Sequence, residues 1–426
     1  MSVFQQGLSG LNASQRNLEV ISNNISNSNA AGFKASFAQF SDLYNGGGSG
    51  DGVGAGTQLS DINRQFTQGN VLTTNNPLDF AISGEGFFKV QSEKGGTIYT
   101  RNGQFGLDKE GFVVNSQGDK LQALSIDNAT GITSEKAAPL QIKKEAIAPR
   151  ATSELTTKVN LDARGTVITT PFDIADPKSY QSSVTQTVYN DLGETKTAQF
   201  FFQRTTPPVG SASAWNVFMT LDNAYVPATV APGTPTPMGT LTFDALGKST
   251  GSLDAAGVAS TDQTLNMSAA NMSAANLGFS REISIDLADT TQYSSGFSIF
   301  NLSQNGYDSA AFKNFTVESD GTISLSYSNG QTQALARVPL YKFNNPEGLQ
   351  PLGASGFLAT LEAGSEIIST GGDSEFGSIR SGAIEEANVD LTNELVAMIT
   401  AQRIYQANSQ SIKTQDSLLQ TVTNLR

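Results

Sequence analysis

The sequence contains no cysteine and no histidine, and both absences narrow what the protein can do. Without cysteine there are no disulfides and no thiolate nucleophiles, and without histidine there is neither an imidazole base nor an imidazole metal ligand. We therefore expect no catalytic centre of the common kinds, no metal and no cofactor. A cysteine-free chain suits a protein that crosses a narrow channel unfolded and folds afterwards, although a cytosolic protein without thiols has the same composition.

Charge is also scarce, because charged residues make up 15% of the chain, against about 25% in an average soluble domain. The net charge of −13 argues against nucleic acid and anionic membrane surfaces as partners, since phosphate groups attract Lys and Arg. No apolar run is long enough to span a membrane, so membrane insertion is not expected. The first residues lack the basic and apolar regions of a cleavable secretion signal, so export would use another route.

Apolar residues at both ends of the chain recur with helical spacing. The N-terminal pattern predicts an amphipathic helix whose apolar stripe consists of Phe4, Leu8, Leu11, Leu18, Ile21 and Ile25. The C-terminal pattern follows a heptad, and its seam consists of Leu391, Leu395, Met398, Tyr405, Ile412, Leu419 and Val422. An ordinary buried helix has a similar periodicity, but the position of these stripes at the two extreme ends favours pairing. We predict that the ends pair as a coiled-coil-like domain through which copies self-assemble.

Between the ends, short apolar or alternating runs are separated by Gly, Asn-Gly and Asp-Gly, which is typical of antiparallel β-structure. Hairpin turns at Asp320-Gly321 and Asn329-Gly330 predict a three-stranded meander over residues 315–340. A second strand group is expected over residues 78–123, with turns at Gly84, Gly86, Gly103, Gly111 and Gly118. The predicted fold class is therefore multidomain α+β, with paired terminal helices and mainly antiparallel β-domains between them.

A glycine-rich segment inside each helical end predicts a flexible joint, because glycine leaves the backbone many accessible conformations. The segment inside the C-terminal helical end covers residues 364–377. Placed symmetrically, the two segments would let the chain leave and re-enter the helical domain through one joining region. The segment inside the N-terminal helical end has as its joint residues Gly46, Gly47, Gly48, Gly50, Gly52, Gly54 and Gly56.

The helical ends are almost neutral, while the middle of the chain is acidic. Residues 1–40 carry a net charge of +1 and residues 388–426 a net charge of zero, so residues 41–387 carry a net charge of −14. Near-neutral helices can crowd around one axis in a homopolymer without like-charge repulsion. Their polar faces are rich in Asn, Gln, Ser and Thr, so we expect such helices to be marginal alone and to gain order by packing.

Local patterns give little support for an enzyme or a nucleotide-binding site. The run from Gly247 to Thr250 matches the end of a phosphate-binding loop, but Thr242 stands where that motif needs Gly. The adjacent Glu385 and Glu386 could serve a glycosidase, yet carboxylate pairs on an acidic surface are usually solvated. An extracellular glycosidase or a glycan-binding module within residues 146–284 stays open as an alternative.

Three ordered segments resemble the flagellar rod and hook axial protein family. The N-terminal match comprises residues 7–15 (GLSGLNASQ), 21–27 (ISNNISN) and 32–34 (GFK). The second comprises residues 80–88 (FAISGEGFF) and 99–105 (YTRNGQF), which are similar to the first β-domain of that family. The third comprises residues 386–391 (EANVDL), 394–396 (ELV), 402–403 (QR) and 405–408 (YQAN), with Ala387 where the family usually has Ser.

The resemblance implies a radial order of domains in a tube. A terminal helical domain over residues 1–30 and 386–426 would line the inside, followed by a joining region over 31–77 and 360–385. A first β-domain over 78–145 and 285–359 and an outer β-domain over 146–284 would lie further out. Bending of the tube is expected from outer domains moving about the glycine joints.

The same resemblance implies a function and partners. The long middle segment favours a hook-type subunit, exported by the flagellar type III apparatus to the cell exterior and polymerised into a curved, torque-transmitting tube. A distal rod subunit, typically shorter, is the alternative within the family. Expected partners are other copies of the chain, the hook cap protein, the distal rod protein, the first hook–filament junction protein and the export apparatus.

Overall fold

The fold comes from a computed structural model of the full 426-residue chain. The structure describes residues 2–43, 56–127, 130–226, 235–254, 259–260, 263–269, 272, 278–373 and 376–424. The first six glycines of the predicted joint, Gly46, Gly47, Gly48, Gly50, Gly52 and Gly54, lie outside the described residues.

Two long helices stand at the ends of the chain, as the apolar periodicity predicts. Helix α1 spans Ser2–Ser26 and helix α2 spans Leu391–Asn424. Asp390 caps α2, because its Oδ1 accepts hydrogen bonds from the backbone N–H groups of Thr392 at 2.9 Å and Asn393 at 3.2 Å. Neither helix, nor any other helix in the described part of the chain, combines the length and hydropathy needed to cross a membrane.

Nearly all of the regular secondary structure described between the helices consists of strands. The strands of its first part are β1 (Ser36–Leu43), β2 (Gly56–Arg64), β3 (Val71–Thr73), β4 (Phe80–Ser83), β5 (Phe88–Gln91), β6 (Thr97–Thr100), β7 (Gly106–Leu107), β8 (Val113–Val114), β9 (Lys120–Ile126) and β10 (Thr133–Pro139). Those of its middle part are β11 (Glu154–Asp162), β12 (Ser182–Tyr189), β13 (Thr195–Thr205), β14 (Ser213–Leu221), β15 (Ala224–Val226), β16 (Gly239–Phe243), β17 (Ser249–Asp254), β18 (Ala259–Ser260), β19 (Thr264–Met267), β20 (Ile283–Asp286), β21 (Thr291–Tyr293) and β22 (Ser298–Gln304). Those of its last part are β23 (Phe312–Val317), β24 (Thr322–Tyr327), β25 (Thr332–Arg337), β26 (Leu340–Phe343), β27 (Gln350–Gly353), β28 (Gly356–Leu358), β29 (Glu366–Ser369), β30 (Ser378–Ser381) and β31 (Ala383–Glu385).

The chain divides into two compact units. The first comprises Met1–Lys144, Lys313–Ser326 and Thr332–Arg426, and the second comprises Glu145–Phe312 and Tyr327–Gln331. The main sheet of the first unit runs in the order β23-β24-β25-β9-β5-β6-β28-β27. Its aromatic core includes Phe87, Tyr99, Tyr341, Phe343 and Phe357.

The second unit contains two sheets that share one apolar core. Strands β12 to β18 form the larger sheet, and β11 with β19 to β22 form the smaller one. Trp215, Phe200 and Phe243 of the larger sheet are buried in one cluster with Leu155 and Ile285 of the smaller sheet. Most pairings are antiparallel as predicted, but β11 pairs in parallel with β20 and β21.

The predicted meander is confirmed. Strands β23, β24 and β25 lie next to one another, and Gly321 and Gly330 have positive φ angles of 87° and 83° at the two turns. The strand group over residues 78–123 is present as β4 to β9, and four of its five turn glycines have positive φ. Gly103 is the exception, because close packing rather than φ requires glycine there: a Cβ at this position would lie 1.7 Å from the carbonyl oxygen of Phe80.

Two expectations are wrong, one about the second glycine-rich joint and one about the boundary of the first β-domain. The described residues of this segment, 364–373 and 376–377, do not form a free joint, because β29 pairs with β26 and the N–H of Gly377 donates to the carbonyl of Glu85 at 2.9 Å. Residues 285–304 do not join the first β-domain, because β20, β21 and β22 all pair with β11 in the second unit. Neither a glycine-rich composition nor the lack of a local motif reveals these long-range strand pairings.

Candidate assembly surface

The two terminal helices pack against each other in antiparallel fashion. Near one end, a Cβ on Gly7 would come within 3.0 Å of the Ile412 side chain. At the other end, Asn24 Nδ2 donates to Glu394 Oε1 at 2.9 Å. Small residues at positions 7 and 10 of α1 therefore let the two helix backbones approach closely.

The middle of the predicted C-terminal seam faces α1. Met398, Tyr405 and Ile412 are half-buried, and Ala401 between them is almost fully buried. In the heptad, Glu394, Asn408 and Gln415 share the position of Ala401, and all three are polar. This seam is consequently narrow and half polar.

The ends of the predicted C-terminal seam are not covered by α1. Leu391, Leu395 and Leu419 are exposed, and the side chain of Val422 lies outside the described residues. At about 3.6 residues per turn, Leu395 lies about a quarter turn around α2 from the residues that face α1, which are Met398, Tyr405 and Ile412. Leu419 lies past the N-terminal end of α1, because α1 has 25 residues and α2 has 34.

The predicted stripe of α1 divides in the same way. Ile21 is buried, Leu11, Leu18 and Ile25 are half-buried, and Phe4 and Leu8 are exposed. Sequence periodicity did not single out Val20, which is also buried. Hence α1 buries a broader face than the predicted stripe.

A β-hairpin explains the additional buried face of α1. Strands β1 and β2 pair along their length and pack on α1, where the N–H of Thr57 donates to Ser9 Oγ at 3.3 Å. Asn24 fixes the base of the hairpin, because its Oδ1 accepts from the N–H of Ser36 at 3.0 Å. Gly56 starts β2, and a Cβ there would lie 2.1 Å from Ser9 Oγ. Gly56 is therefore part of a packed strand rather than of a free joint.

A buried cluster of charges lies where the chain leaves α1 and approaches α2. Lys34 Nζ contacts Glu385 Oε1 at 2.7 Å, and Arg101 Nη1 contacts Glu385 Oε2 at 3.3 Å. Lys34 also donates to the carbonyl of Thr67 at 2.7 Å, and the N–H of Gly69 donates to Glu385 Oε1 at 2.9 Å. We call Lys34, Arg101 and Glu385 the junction triad.

Burial sets the electrostatics of the junction triad. Desolvation lowers the pKa of Lys34, the neighbouring Arg101 lowers it further, and the Glu385 carboxylate opposes both effects. Burial likewise lowers the pKa of Arg101, again opposed by Glu385. Since each cation depends on the same carboxylate, loss of Glu385 would leave two buried positive charges without their partner.

Asn388 adds a neutral clamp beside the junction triad. Its Oδ1 accepts from the N–H of Ala35 at 2.7 Å, and its Nδ2 donates to the carbonyl of Gln65 at 2.8 Å. The segment after α1, the end of β2 and the segment before α2 are thus tied together by side chains from both ends of the chain.

The sequence did not point to the junction triad as a unit. Glu385 was expected to be solvated with Glu386, which is wrong, because Glu385 is 1% exposed. A signal was nonetheless present: Lys34 and Glu385 lie within or beside recurring motifs at chain ends that otherwise carry little charge. Only the fold shows that these residues and Arg101 meet.

Within the described residues, no group of three or more acidic side chains is arranged to hold a metal ion. Glu385 is buried beside the segments that lead into the helix pair, and the helix pair with its base is the candidate functional surface.

Four family models match successive parts of the chain. They are the flagella basal body rod protein model over residues 4–34, the flagellar hook protein FlgE/F/G D1 domain over 81–169, the flagellar basal body protein FlaE D2 domain over 160–307, and the flagellar basal body rod FlgEFG protein C-terminal model over 380–425.

Full-length relatives and a solved structure agree with these matches. The flagellar hook protein FlgE of Salmonella typhimurium is 36% identical, with 99% of this chain and 100% of the relative covered. That of Escherichia coli strain K12 is 35% identical, with the same coverage. The crystal structure of Helicobacter pylori flagellar hook protein FlgE2 has a similar fold, with a TM-score of 0.51 and 15% identity over 72% of this chain and 99% of that one. This chain belongs to the flagellar hook protein FlgE family.

Proposed function

We propose that this chain is the structural, non-enzymatic subunit of a bacterial flagellar hook, assembled outside the cell as a curved tube that transmits torque. The observation that carries the proposal is the pairing of α1 with α2, because it joins the two chain ends into one elongated helical body. That body is narrow, nearly neutral and only partly covered, as expected of an element that completes its packing against other copies.

The partners follow from this role. Other copies of the chain would contact the helix pair, while the hook cap protein would shelter the growing end. The distal rod protein and the first hook–filament junction protein would contact the two ends of the finished tube, and the type III apparatus would export the subunit. These assignments rest on family resemblance.

The test of the function is assembly of the purified chain. We expect hollow curved tubes in electron micrographs of the parent protein. Met398→Lys should abolish them, because Met398 faces α1 and a charge buried without a partner is costly.

Gln410→Lys is the matched control, since Gln410 is an exposed polar residue of the same helix and the substitution removes no apolar surface. It should leave assembly intact. Fluorescence of Trp215, the single tryptophan, should report a folded second unit in both variants. Normal tubes from Met398→Lys would remove the helix pair from the assembly surface.

A further inference from the structure

One half-buried arginine of the first unit lacks the kind of partner that similar arginines have. Four described arginines are buried or half-buried, and three of them, Arg101, Arg204 and Arg337, donate hydrogen bonds to carbonyl or hydroxyl oxygens. Arg64, at the end of β2, makes no hydrogen bond and no ion pair with any described residue. A guanidinium carries five N–H donors, so burial takes water from these donors without providing an acceptor.

The charge of Arg64 is also uncompensated. Burial lowers the pKa of Arg64, and no carboxylate of the described residues opposes that effect. Arg101 differs, because Glu385 acts against the same effect of burial. The guanidinium carbon of Arg64 lies 5.9 Å from the centre of the Phe357 ring, which is the outer limit of about 6 Å for a cation–π contact. The ring therefore replaces little of the hydration that Arg64 has lost.

Arg64 and Phe357 line a cavity of about 280 Å³. The cavity lies between the end of α1, the end of β2 and the tip of the β27–β28 hairpin. Asn23 and Asn27 also line it: the Asn27 side-chain amide donates to the carbonyl of Asn23 at 2.9 Å, whereas that of Asn23 bonds to no described residue. Ligand sites commonly measure about 300–1,000 Å³, so this cavity suits a group no larger than a side chain or a small organic acid.

One wall of the cavity is fixed in a strained conformation. Ala354 and Ser355, at the tip of the β27–β28 hairpin, have φ angles of 51° and 58°, which non-glycine residues rarely adopt. Ser355 is held in place, because its Oγ donates to the carbonyl of Ala31 at 3.1 Å and its carbonyl accepts from Thr100 Oγ1 at 3.0 Å. Strain of this kind is concentrated at ligand-binding sites. The wall is therefore formed before any ligand enters.

We propose that this cavity is an anion-binding site in which Arg64 holds a single carboxylate. The planar guanidinium matches the two oxygens of a carboxylate. The single uncompensated charge of Arg64 matches one carboxylate, whereas a phosphate group brings a charge of about −1.5 to −2. Lys34 lines the cavity too, but its ammonium already donates to Glu385 and to the carbonyl of Thr67.

The carboxylate has two possible sources, an acidic side chain of another copy and a free organic acid. The chain has 39 acidic residues against 26 basic ones, so any assembly of it contains carboxylates without a basic partner. Both sources present the same chemical group to Arg64. The site goes beyond the proposed hook function and does not depend on it, because every residue that lines the cavity belongs to one molecule.

The test compares urea unfolding of the monomer in sodium acetate and in sodium chloride at equal ionic strength, followed by helical circular dichroism. Acetate carries the same group as an Asp or Glu side chain. At about 0.2 M, acetate should raise the midpoint of the parent by about 0.3 M urea or more, because a ligand that binds only the folded state stabilises it.

Two variants show whether Arg64 causes this shift. Arg64→Met keeps an apolar stem and removes the charge, so its midpoint in chloride should equal or exceed that of the parent and should not rise in acetate. Arg380→Met is the control, because Arg380 is an exposed arginine of the same unit that does not line the cavity. It should respond to acetate as the parent does.

Phenylglyoxal labelling of Arg64, mapped by mass spectrometry of peptides, identifies the source of the carboxylate. If another copy supplies it, labelling should be about tenfold slower in acetate-free tubes than in the monomer. If a free acid supplies it, labelling in tubes should be as fast as in the monomer and should slow when acetate is added. Both results support the site, whereas labelling that neither assembly nor acetate slows would overturn it.

The unfolding measurement can also overturn the site. An acetate shift that is missing from the parent, or equal in Arg64→Met, would mean that Arg64 holds no carboxylate. A midpoint of Arg64→Met in chloride well below that of the parent would show that Arg64 supports the fold instead of a ligand. If the parent forms no tubes, the proposed hook function fails, while the acetate measurement on the monomer still decides the site.

Discussion

At the scale of single residues, the junction triad shows how few charges connect the two ends of the chain. Lys34 and Glu385 lie far apart in sequence, and both side chains are fully buried where they meet. A buried ion pair is seldom a large net source of stability, but breaking one is costly. The triad therefore acts less as a source of stability than as a constraint on which segments come together.

Glu385→Gln should destabilise the first unit by about 3–5 kcal/mol, because it leaves Lys34 and Arg101 buried without the carboxylate that both contact. In a urea titration, loss of helical circular dichroism should shift to lower denaturant concentration. The transition of Trp215 fluorescence, which reports the second unit, should not move.

Glu386→Gln is the matched control for that measurement. Glu386 is only half-buried, and its Oε2 accepts one hydrogen bond from Asn70 Nδ2 at 2.9 Å. Its substitution should change the free energy of unfolding by less than about 0.5 kcal/mol. Equal effects of the two substitutions would contradict the assignment of Glu385 to a buried charge cluster.

Tyr341 makes the first unit sensitive to high pH. Its side chain is fully buried, its hydroxyl has no hydrogen-bond partner among the described residues, and burial raises its pKa. Above about pH 10 the unfolded chain loses the tyrosine proton while the folded chain keeps it, so stability falls as pH rises.

Tyr341→Phe should remove this contribution. Relative to the parent, the variant should lose about 1.4 kcal/mol less stability per pH unit above pH 10, as measured by urea unfolding at several pH values. The lowered pKa of Lys34 makes stability rise with pH below the pKa of lysine in the unfolded chain, which is opposite to the effect of Tyr341. This contribution is the same in the parent and in Tyr341→Phe. Parallel pH profiles would show that Tyr341 ionises equally in both states.

At the scale of secondary-structure elements, the turn between β6 and β7 depends on close backbone contact. The N–H of Phe80 donates to the carbonyl of Gly103 at 2.9 Å, and a Cβ on Gly103 would lie 1.7 Å from the carbonyl oxygen of Phe80. Gly103→Ala should therefore cost about 3 kcal/mol or more, since the backbone must move apart.

Gly106→Ala is the control for this turn. Nothing lies within 4 Å of a Cβ at Gly106, so this change should be nearly neutral. Both variants are compared by thermal unfolding followed by circular dichroism. A neutral Gly103→Ala would show that the turn can relax.

The elements differ in how far the sequence predicted them. The apolar periodicity predicted both helices, and the Asp-Gly and Asn-Gly turns predicted the meander, because both signals depend only on residues that are close in sequence. The sequence could not show which residues of the helical stripes face inward, since Phe4, Leu8, Leu391 and Leu395 satisfy the pattern yet stay exposed. It also missed β29, because the partner strand β26 lies in another part of the chain.

At the scale of the whole molecule, the middle of the chain and its two ends differ in net charge and in secondary structure. The acidic middle forms β-structures with their own apolar cores, while the neutral ends form a helix pair with exposed apolar side chains. Folding and assembly should therefore be separable. The β-structures need no neighbour to bury their cores, whereas the helix pair leaves apolar side chains such as Leu8 and Leu395 exposed.

A chain lacking residues 1–26 and 391–426 tests this separation, because it keeps Lys34, Arg101 and Glu385, the three residues of the junction triad. It should show the same urea transition of Trp215 fluorescence as the parent, because the second unit contains none of the removed residues. It should also remain monomeric in sedimentation at concentrations at which the parent forms tubes, and it should not co-pellet with parent tubes. Growth of hollow curved tubes from the shortened chain would mean that the β-structures alone carry the subunit contacts, since no residue of α1 or α2 would remain to supply them.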